Sequence, residues 1–333
     1  LVFENLLLSG FKELGMDVDI RTFLNVALYP NSKKILIPYR DEKLKCGYTA
    51  KWIPTINLPF LKQLIYKLMA YIDLKKWIKE NLSIKDKVIL TYSIYDFMTS
   101  AALKLSKKYN IPVCAIVPDL PGNHFELVKA KGMKQRLSGM FIKGSVEKQD
   151  KFDAYVLLTE QMNEVVNKKN KPYTIVEGIC SPDIFDKYSG VQKYKKKTVM
   201  YAGMLGEIHR VGMIARAFMK VKGDYELWFF GSGNYEDELK ELAKQDSRIK
   251  VFGRVPRETV LEYEKKASLL INVRDSKEQY TKYSFPSKTM EYMSSGTPLL
   301  TTKLPGIPKE YFDYVYTLED ETEDGLASML RDV

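Results

Sequence analysis

The chain has 333 residues, 45% of them hydrophobic and 28% charged, and a formal net charge of +10. That mixture indicates a soluble globular protein long enough for two domains. The lack of any run of roughly 18 apolar residues excludes a transmembrane helix. Cys46, Cys114 and Cys180 lie far apart and the only histidines are His124 and His209, which excludes metal-ligand spacings and a His-rich metal centre. The cysteines read as reduced thiols of a cytosolic protein.

The opening LVFENLLLSGFKELGMDVDI contains acids and lacks a basic lead, so no secretory leader is expected. Helical spacing predicts a helix over Phe3–Leu14, followed by a strand over Val18–Phe23. A helix over Phe60–Asn81, a strand over Lys87–Tyr92, a helix over Asp96–Tyr109 and a strand over Ile111–Val117 come next. Further predicted elements are a strand at Ala154–Leu158, a helix at Glu160–Asn167 and a strand at Tyr173–Val176. The polar, lysine-rich stretch Asp186–Lys197 reads as a linker and sets the domains at 1–190 and 191–333. In the second, strands at Thr198–Ala202, Glu226–Gly231, Ile249–Phe252, Leu269–Val273 and Pro298–Thr302 alternate with helices at Val211–Val221, Tyr235–Gln245 and Arg257–Ala267. Such alternation predicts α/β domains with parallel, doubly wound sheets.

The positive charge is uneven. Residues 1–190 hold 29 Lys and Arg against 20 Asp and Glu, a net of +9, and residues 191–333 hold 23 against 22. Two segments, Lys62–Leu82 and Lys129–Lys148, mix aliphatic and aromatic residues with Lys and Arg. Each reads as a solvated basic helix, as a surface for anionic lipid or as a nucleic-acid surface; no nucleic-acid motif accompanies the charge, so no nucleic-acid partner is expected.

The richest segment is Tyr280–Thr301, YTKYSFPSKTMEYMSSGTPLLT. It reads as loop, short helix, turn and buried strand. Pro286 suits the first helical turn, and Gly296 followed by Pro298 suits the helix end. A helix opening after a loop offers backbone N–H groups and a positive dipole end to a phosphate. Ser287, Lys288 and Glu291 share one face, so the cation can meet a phosphate while the carboxylate meets ribose hydroxyls. The plainer alternative is an amphipathic helix with a surface Lys–Glu pair.

These residues resemble the donor-sugar motif of GT-B glycosyltransferases, in particular the large retaining family 4 and its capsular and surface-polysaccharide subgroup. Glu291 and Gly296-Thr297-Pro298 match the second half of that motif. Tyr283 stands where the family carries a first glutamate, and Ser284 and Pro286 replace a glycine pair. The resemblance implies two Rossmann-like domains facing a cleft. Residues 1–190 would bind the acceptor, and residues 191–333 a nucleotide diphosphate sugar, most naturally UDP-linked. It implies no bound metal or further cofactor. The reaction would transfer a sugar, with retention, to a glycan or lipid-linked saccharide in polysaccharide biosynthesis, in the cytoplasm or peripherally on the membrane. By the same comparison the chain looks trimmed at both ends.

Further positions follow from the resemblance. Gly203, in Tyr201-Ala-Gly-Met-Leu-Gly206, falls in the loop that faces the donor diphosphate. Met204 and His209 occupy places where the family has Arg and Lys, leaving Arg210 to supply the charge. Trp228-Phe-Phe-Gly-Ser-Gly233 matches the following strand and G-x-G turn, or is merely a strand-to-helix turn. Arg254, in VFGRV, lies where the base is read. Arg274 ends a strand, where open α/β sheets bind ligands, and joins Lys288 as a candidate for the diphosphate; its alternative is a salt bridge to Asp275 or Glu278. Ser284, Phe285 and Ser287 complete the donor set. In the first domain Asp119 ends a strong strand and is the candidate to orient or deprotonate the acceptor hydroxyl, with a turn aspartate as the alternative. His124 is a candidate donor to the sugar. Two other readings stay open, a nucleotide-sugar epimerase and a non-catalytic partner with a degenerate glycosyltransferase fold.

Overall fold

The structure, a computed structural model, describes residues 2–59, 61–121, 139 and 142–333. Most of the basic segment Lys129–Lys148 lies outside the described residues, as does His124. Two compact units are present, Leu1–Glu177 and Gly178–Val333.

In the first unit, helix α1 spans Val2–Glu13, α2 Leu61–Glu80, α3 Asp96–Tyr109 and α4 Glu160–Val166. Helix α3 coincides with its predicted span because both ends are signalled locally. Asp96 lies in its first turn, Lys107 and Lys108 in its last, and Asn110 closes it in the left-handed region at φ 54°. Strands β6 (Ile89–Tyr92), β7 (Val113–Val117), β8 (Ala154–Leu157) and β9 (Tyr173–Ile175) form a parallel sheet in that order.

Residues 20–56 behave differently. β1 (Ile20–Thr22), part of the predicted Val18–Phe23 strand, pairs in parallel with β4 (Thr49–Trp52), which runs antiparallel to β3 (Arg40–Lys43). β2 (Leu36–Ile37) and β5 (Thr55–Ile56) form a separate antiparallel pair. None of β2 to β5 was predicted. At two to four residues each they are too short for a period to show, and Pro38 and Pro54 interrupt the segment.

The second unit holds a six-stranded parallel sheet: β10 (Lys197–Ala202), β11 (Tyr225–Phe230), β12 (Ile249–Gly253), β13 (Leu269–Asn272), β14 (Leu299–Thr302) and β15 (Tyr316–Leu318). Their spatial order is β12-β11-β10-β13-β14-β15, the doubly wound order that reverses between β10 and β13. Both faces are buried. Tyr201, Leu227, Phe229 and Ile271 point to one core with Val211, Ile214 and Phe218 of α5 (Val211–Met219), Leu239 of α6 (Glu236–Gln245) and Leu326 of α9 (Glu323–Asp332). Met200, Ala202, Trp228, Phe230 and Leu270 point to the other, which also contains Tyr292 of α8 (Ser287–Ser294) and Tyr263 of α7 (Arg257–Lys266). Strand residues with period two therefore feed two helical layers.

The expected linker is only partly a linker. Pro182–Tyr188 forms a 3-10 turn whose Phe185 and Tyr188 pack on Leu261 of α7, and Lys193 donates to the Ala267 carbonyl and the Thr297 hydroxyl. Its aromatic residues attach the segment to the second unit.

Candidate functional site

In a doubly wound sheet, a crevice opens beyond the carboxyl ends of the strands where the order reverses. Here those ends are Ala202, followed by Gly203, and Asn272, followed by Val273 and Arg274. Helix α8, on the crossover from β13 to β14, opens on the same side. Pro286 is its N-cap, one position earlier than the first helical turn, and no side chain caps the helix. Thr289 N–H donates to the Pro286 carbonyl, which leaves the N–H groups of Ser287 and Lys288 without an intrahelical acceptor, and Ser287 is exposed. At the other end Gly296 has φ +70°, the left-handed residue expected there.

The loop carrying Gly203 is locked to its neighbour. Leu205 N–H donates to the Ser232 carbonyl and Tyr235 N–H to the Leu205 carbonyl. A Cβ on Gly231 (φ +127°) would lie 1.8 Å from the Gly203 carbonyl oxygen, and one on Gly233 2.2 Å from that of Leu205. The G-x-G turn thus serves the close approach of two loops.

Arg274 ends up beside His209. Its Nη1 contacts His209 Nδ1, and its backbone N–H donates to Thr302 Oγ1. Burial, with the adjacent Arg274 charge, pushes the imidazole down to about 4. His209 is therefore a neutral acceptor that orients Arg274, and it does not replace a lysine charge. Arg274 makes no salt bridge to Asp275 or Glu278; with Tyr280, Thr281, Ser284, Pro286 and Leu304 it lines a small pocket.

Arg210 differs from its expected role. In the left-handed conformation at φ 53°, its guanidinium lies 2.5 Å from Asp275 and 3.2 Å from Glu321, and it donates to the Glu321 carbonyl. Two carboxylates offset its charge, and it ties together the loops after β10, β13 and β15. Phe285 also differs. Its side chain is buried with Leu304 and Ile307 and meets the Tyr311 ring edge-on, so it anchors the loop. Arg254 is exposed in the bend after β12.

Lys288 and Glu291 do share a helix face, but they are not a surface pair. Glu291 is 13% exposed at its side chain. Lys288 Nζ contacts Glu291 Oε1 and lies 3.4 Å from Glu264 Oε1, while Arg257 Nη2 is 2.7 Å from Glu291 Oε2. Burial raises the Glu291 carboxyl, but Lys288 and Arg257 outweigh it and hold the group below its ordinary value. The adjacent Tyr292 bridges the backbone N–H and carbonyl of Ala202, tying α8 to the strand end that precedes Gly203. Sequence reading missed Arg257, Glu264 and Tyr292. Glu264 had one signal: it lies three residues after Leu261, on the buried side of α7.

In the first unit Asp119 follows β7 and is exposed. No group of three or more potential metal ligands occurs among the described residues.

Comparison with solved structures shows a GT-B-like α/β fold. Sucrose-phosphate synthase from Thermosynechococcus elongatus matches 99% of this chain and 83% of its own at 13% identity, with a TM-score of 0.62. WaaG, a glycosyltransferase involved in lipopolysaccharide biosynthesis, matches 99% and 85% at 14% identity and a TM-score of 0.55. HepE of Anabaena, solved in complex with UDP, matches 84% and 75% at 12% identity and a TM-score of 0.56. Residues 196–332, nearly the whole second unit, match the family described as Glycosyl transferases group 1. The chain thus carries a glycosyltransferase domain, and its crevice lies within the matched span. A search of curated protein sequences gives no match.

Proposed function

We propose that the protein transfers a sugar, with retention, from a UDP-sugar to a glycan or lipid-linked saccharide in polysaccharide assembly. The observation that carries this reading is the uncapped N-terminus of α8 at the reversal point of the sheet, with the doubly paired Glu291 one turn below. In the reaction the bond from the anomeric carbon to the diphosphate oxygen breaks, a bond to the acceptor oxygen forms, and the acceptor proton passes to the departing diphosphate. Charge develops on the departing diphosphate, so fixed N–H groups and cations accelerate the step. The N–H groups near Gly203 and Ser287, together with Arg274 and Lys288, take that role. Glu291 holds the ribose hydroxyls, with its two cations keeping it an acceptor. Ser284 lies in the adjoining pocket wall, and Arg254, in the bend after β12, takes the base. The first unit takes the acceptor, with Asp119 orienting its hydroxyl and His124 donating to the sugar. HepE, with its bound UDP, supports the choice of donor, and the resemblance to a retaining family supports retention.

Calorimetric titration with UDP and GDP tests this. UDP should bind, and Glu291→Ala should weaken it by about two orders of magnitude, the value of charge-assisted hydrogen bonds. Absence of binding by either nucleotide overturns the reading.

The same proposal includes peripheral contact with an anionic membrane. The outward face of α2 carries Leu61, Leu64, Leu68 and Ile72, with Leu64 63% exposed, followed by Lys76 and Lys79. Aliphatic residues followed by lysines suit a lipid surface with anionic headgroups. The chain should sediment with phosphatidylglycerol vesicles at low salt, and both high salt and Leu64→Glu should release it. Failure to sediment at low salt removes the claim.

A further inference from the structure

Glu264 is fully buried on α7, at 0% exposure, in the wall directly behind Lys288. Its Oε1 is 3.4 Å from Lys288 Nζ, and its Oε2 has no hydrogen-bond partner. Lys288 makes its closer contact with Glu291, and Glu291 also holds Arg257. Two carboxyl groups therefore share one lysine, and Glu264 has the smaller share.

An ionised Glu264 would leave a buried acceptor unsatisfied and set two negative charges side by side, both costly. A neutral Glu264 has an O–H to donate, and the neighbouring acceptor is the Glu291 carboxylate. We propose that Glu264 is a positioning residue of the donor site: as a neutral acid it donates to Glu291 and leaves Lys288 and Arg257 with one positive charge in excess, facing the diphosphate. The inference rests on the UDP-sugar reading of the α8 crevice.

The surroundings agree. Burial, the largest influence, and the Glu291 charge raise the Glu264 carboxyl, against the opposing Lys288, to about 8. The groups that face it are few. Lys288, Glu291 and Tyr292 come from α8. Arg257, from its own helix, reaches it through Glu291, and Lys265 is turned to the Ser295 carbonyl. Thr297 Oγ1 donates to the Glu264 backbone carbonyl, and Lys193 donates to that same hydroxyl. Tyr292 is buried, is held by Ala202 and is raised well above its ordinary value, so it stays neutral throughout. Ionising Glu264 would cancel the excess charge and draw Lys288 inward, weakening the hold on a dianionic or trianionic ligand.

The test is UDP calorimetry on the full chain between pH 7 and 9.5, with wild type and Glu264→Gln. Wild-type affinity should fall by about tenfold as pH rises, the influence of one unit charge across a solvated site. Glu264→Gln, neutral at every pH and still able to donate to Glu291, should keep the pH 7 affinity across the range. An equal pH slope in both proteins overturns the role of Glu264 while leaving the donor site standing. A variant that binds as weakly at pH 7 as Glu291→Ala also overturns it, since a neutral side chain should suffice. Absence of UDP binding by wild type at every pH overturns the donor reading and this inference together.

Discussion

Asp96 in the first unit and Glu264 in the second are both buried, at 4% and 0% exposure, yet their environments drive them in opposite directions. Asp96 opens α3, where the helix dipole favours an anion. Lys148 Nζ lies 2.7 Å from its Oδ1, Lys67 contacts its Oδ2, and the Ser100 hydroxyl donates at 3.2 Å. Burial alone would raise Asp96, but the two lysines outweigh it and the group stays below its ordinary value. Even the backbone conforms, since a Cβ on Gly144 would come within 2.7 Å of this carboxyl. Glu264 has part of one lysine and a carboxylate neighbour, and burial wins. The number of donors reaching each oxygen, more than the depth of burial, decides which buried acid is charged.

Breaking the first arrangement has the larger expected effect. Asp96→Asn leaves two lysines partly uncompensated and should lower stability by about 3 kcal/mol at pH 7, read as a shifted urea midpoint. The sign with pH follows from the lowered folded value. The stabilisation is complete above the ordinary carboxylate value and is lost as pH falls through the folded one, so wild type and variant should converge in acid. An undiminished midpoint at pH 7 would break the comparison.

Glu264→Gln sharpens it with a smaller effect of opposite slope. The folded value of Glu264 is raised, so its contribution is complete below the ordinary glutamate value and is lost as pH rises toward about 8. The variant lacks that loss. It should match wild type near pH 4 and gain on it steadily as the pH rises toward 8. Parallel pH profiles would mean that Glu264 is already ionised in the folded protein.

Much of the second unit is legible in its sequence because local and tertiary demands agree there. Each strand from β10 to β14 is an apolar run ended by a turn signal, and the ends of α8 are marked by Pro286 and Gly296. The residue pairings were less accessible. Spacing joins Lys288 to Glu291, but Arg257 arrives from another helix. His209 is neutral because of Arg274, which is far away in sequence. Arg210 looks like a free cation until Asp275 and Glu321 are found around it. Phe285 sits inside a polar motif, and only the fold reveals the Leu304 and Ile307 cluster beneath it. In the first unit, Pro38 and Pro54 interrupt strands whose partners lie elsewhere in the chain.

The contact between Gly231 and the Gly203 carbonyl reaches beyond local packing. With 1.8 Å available to a Cβ there, the residue type at position 231 and the path of the 203–206 loop form a single inherited variable. A descendant chain that gains a side chain at 231 must first reroute the loop over the crevice, so drift in one loop is policed by the other.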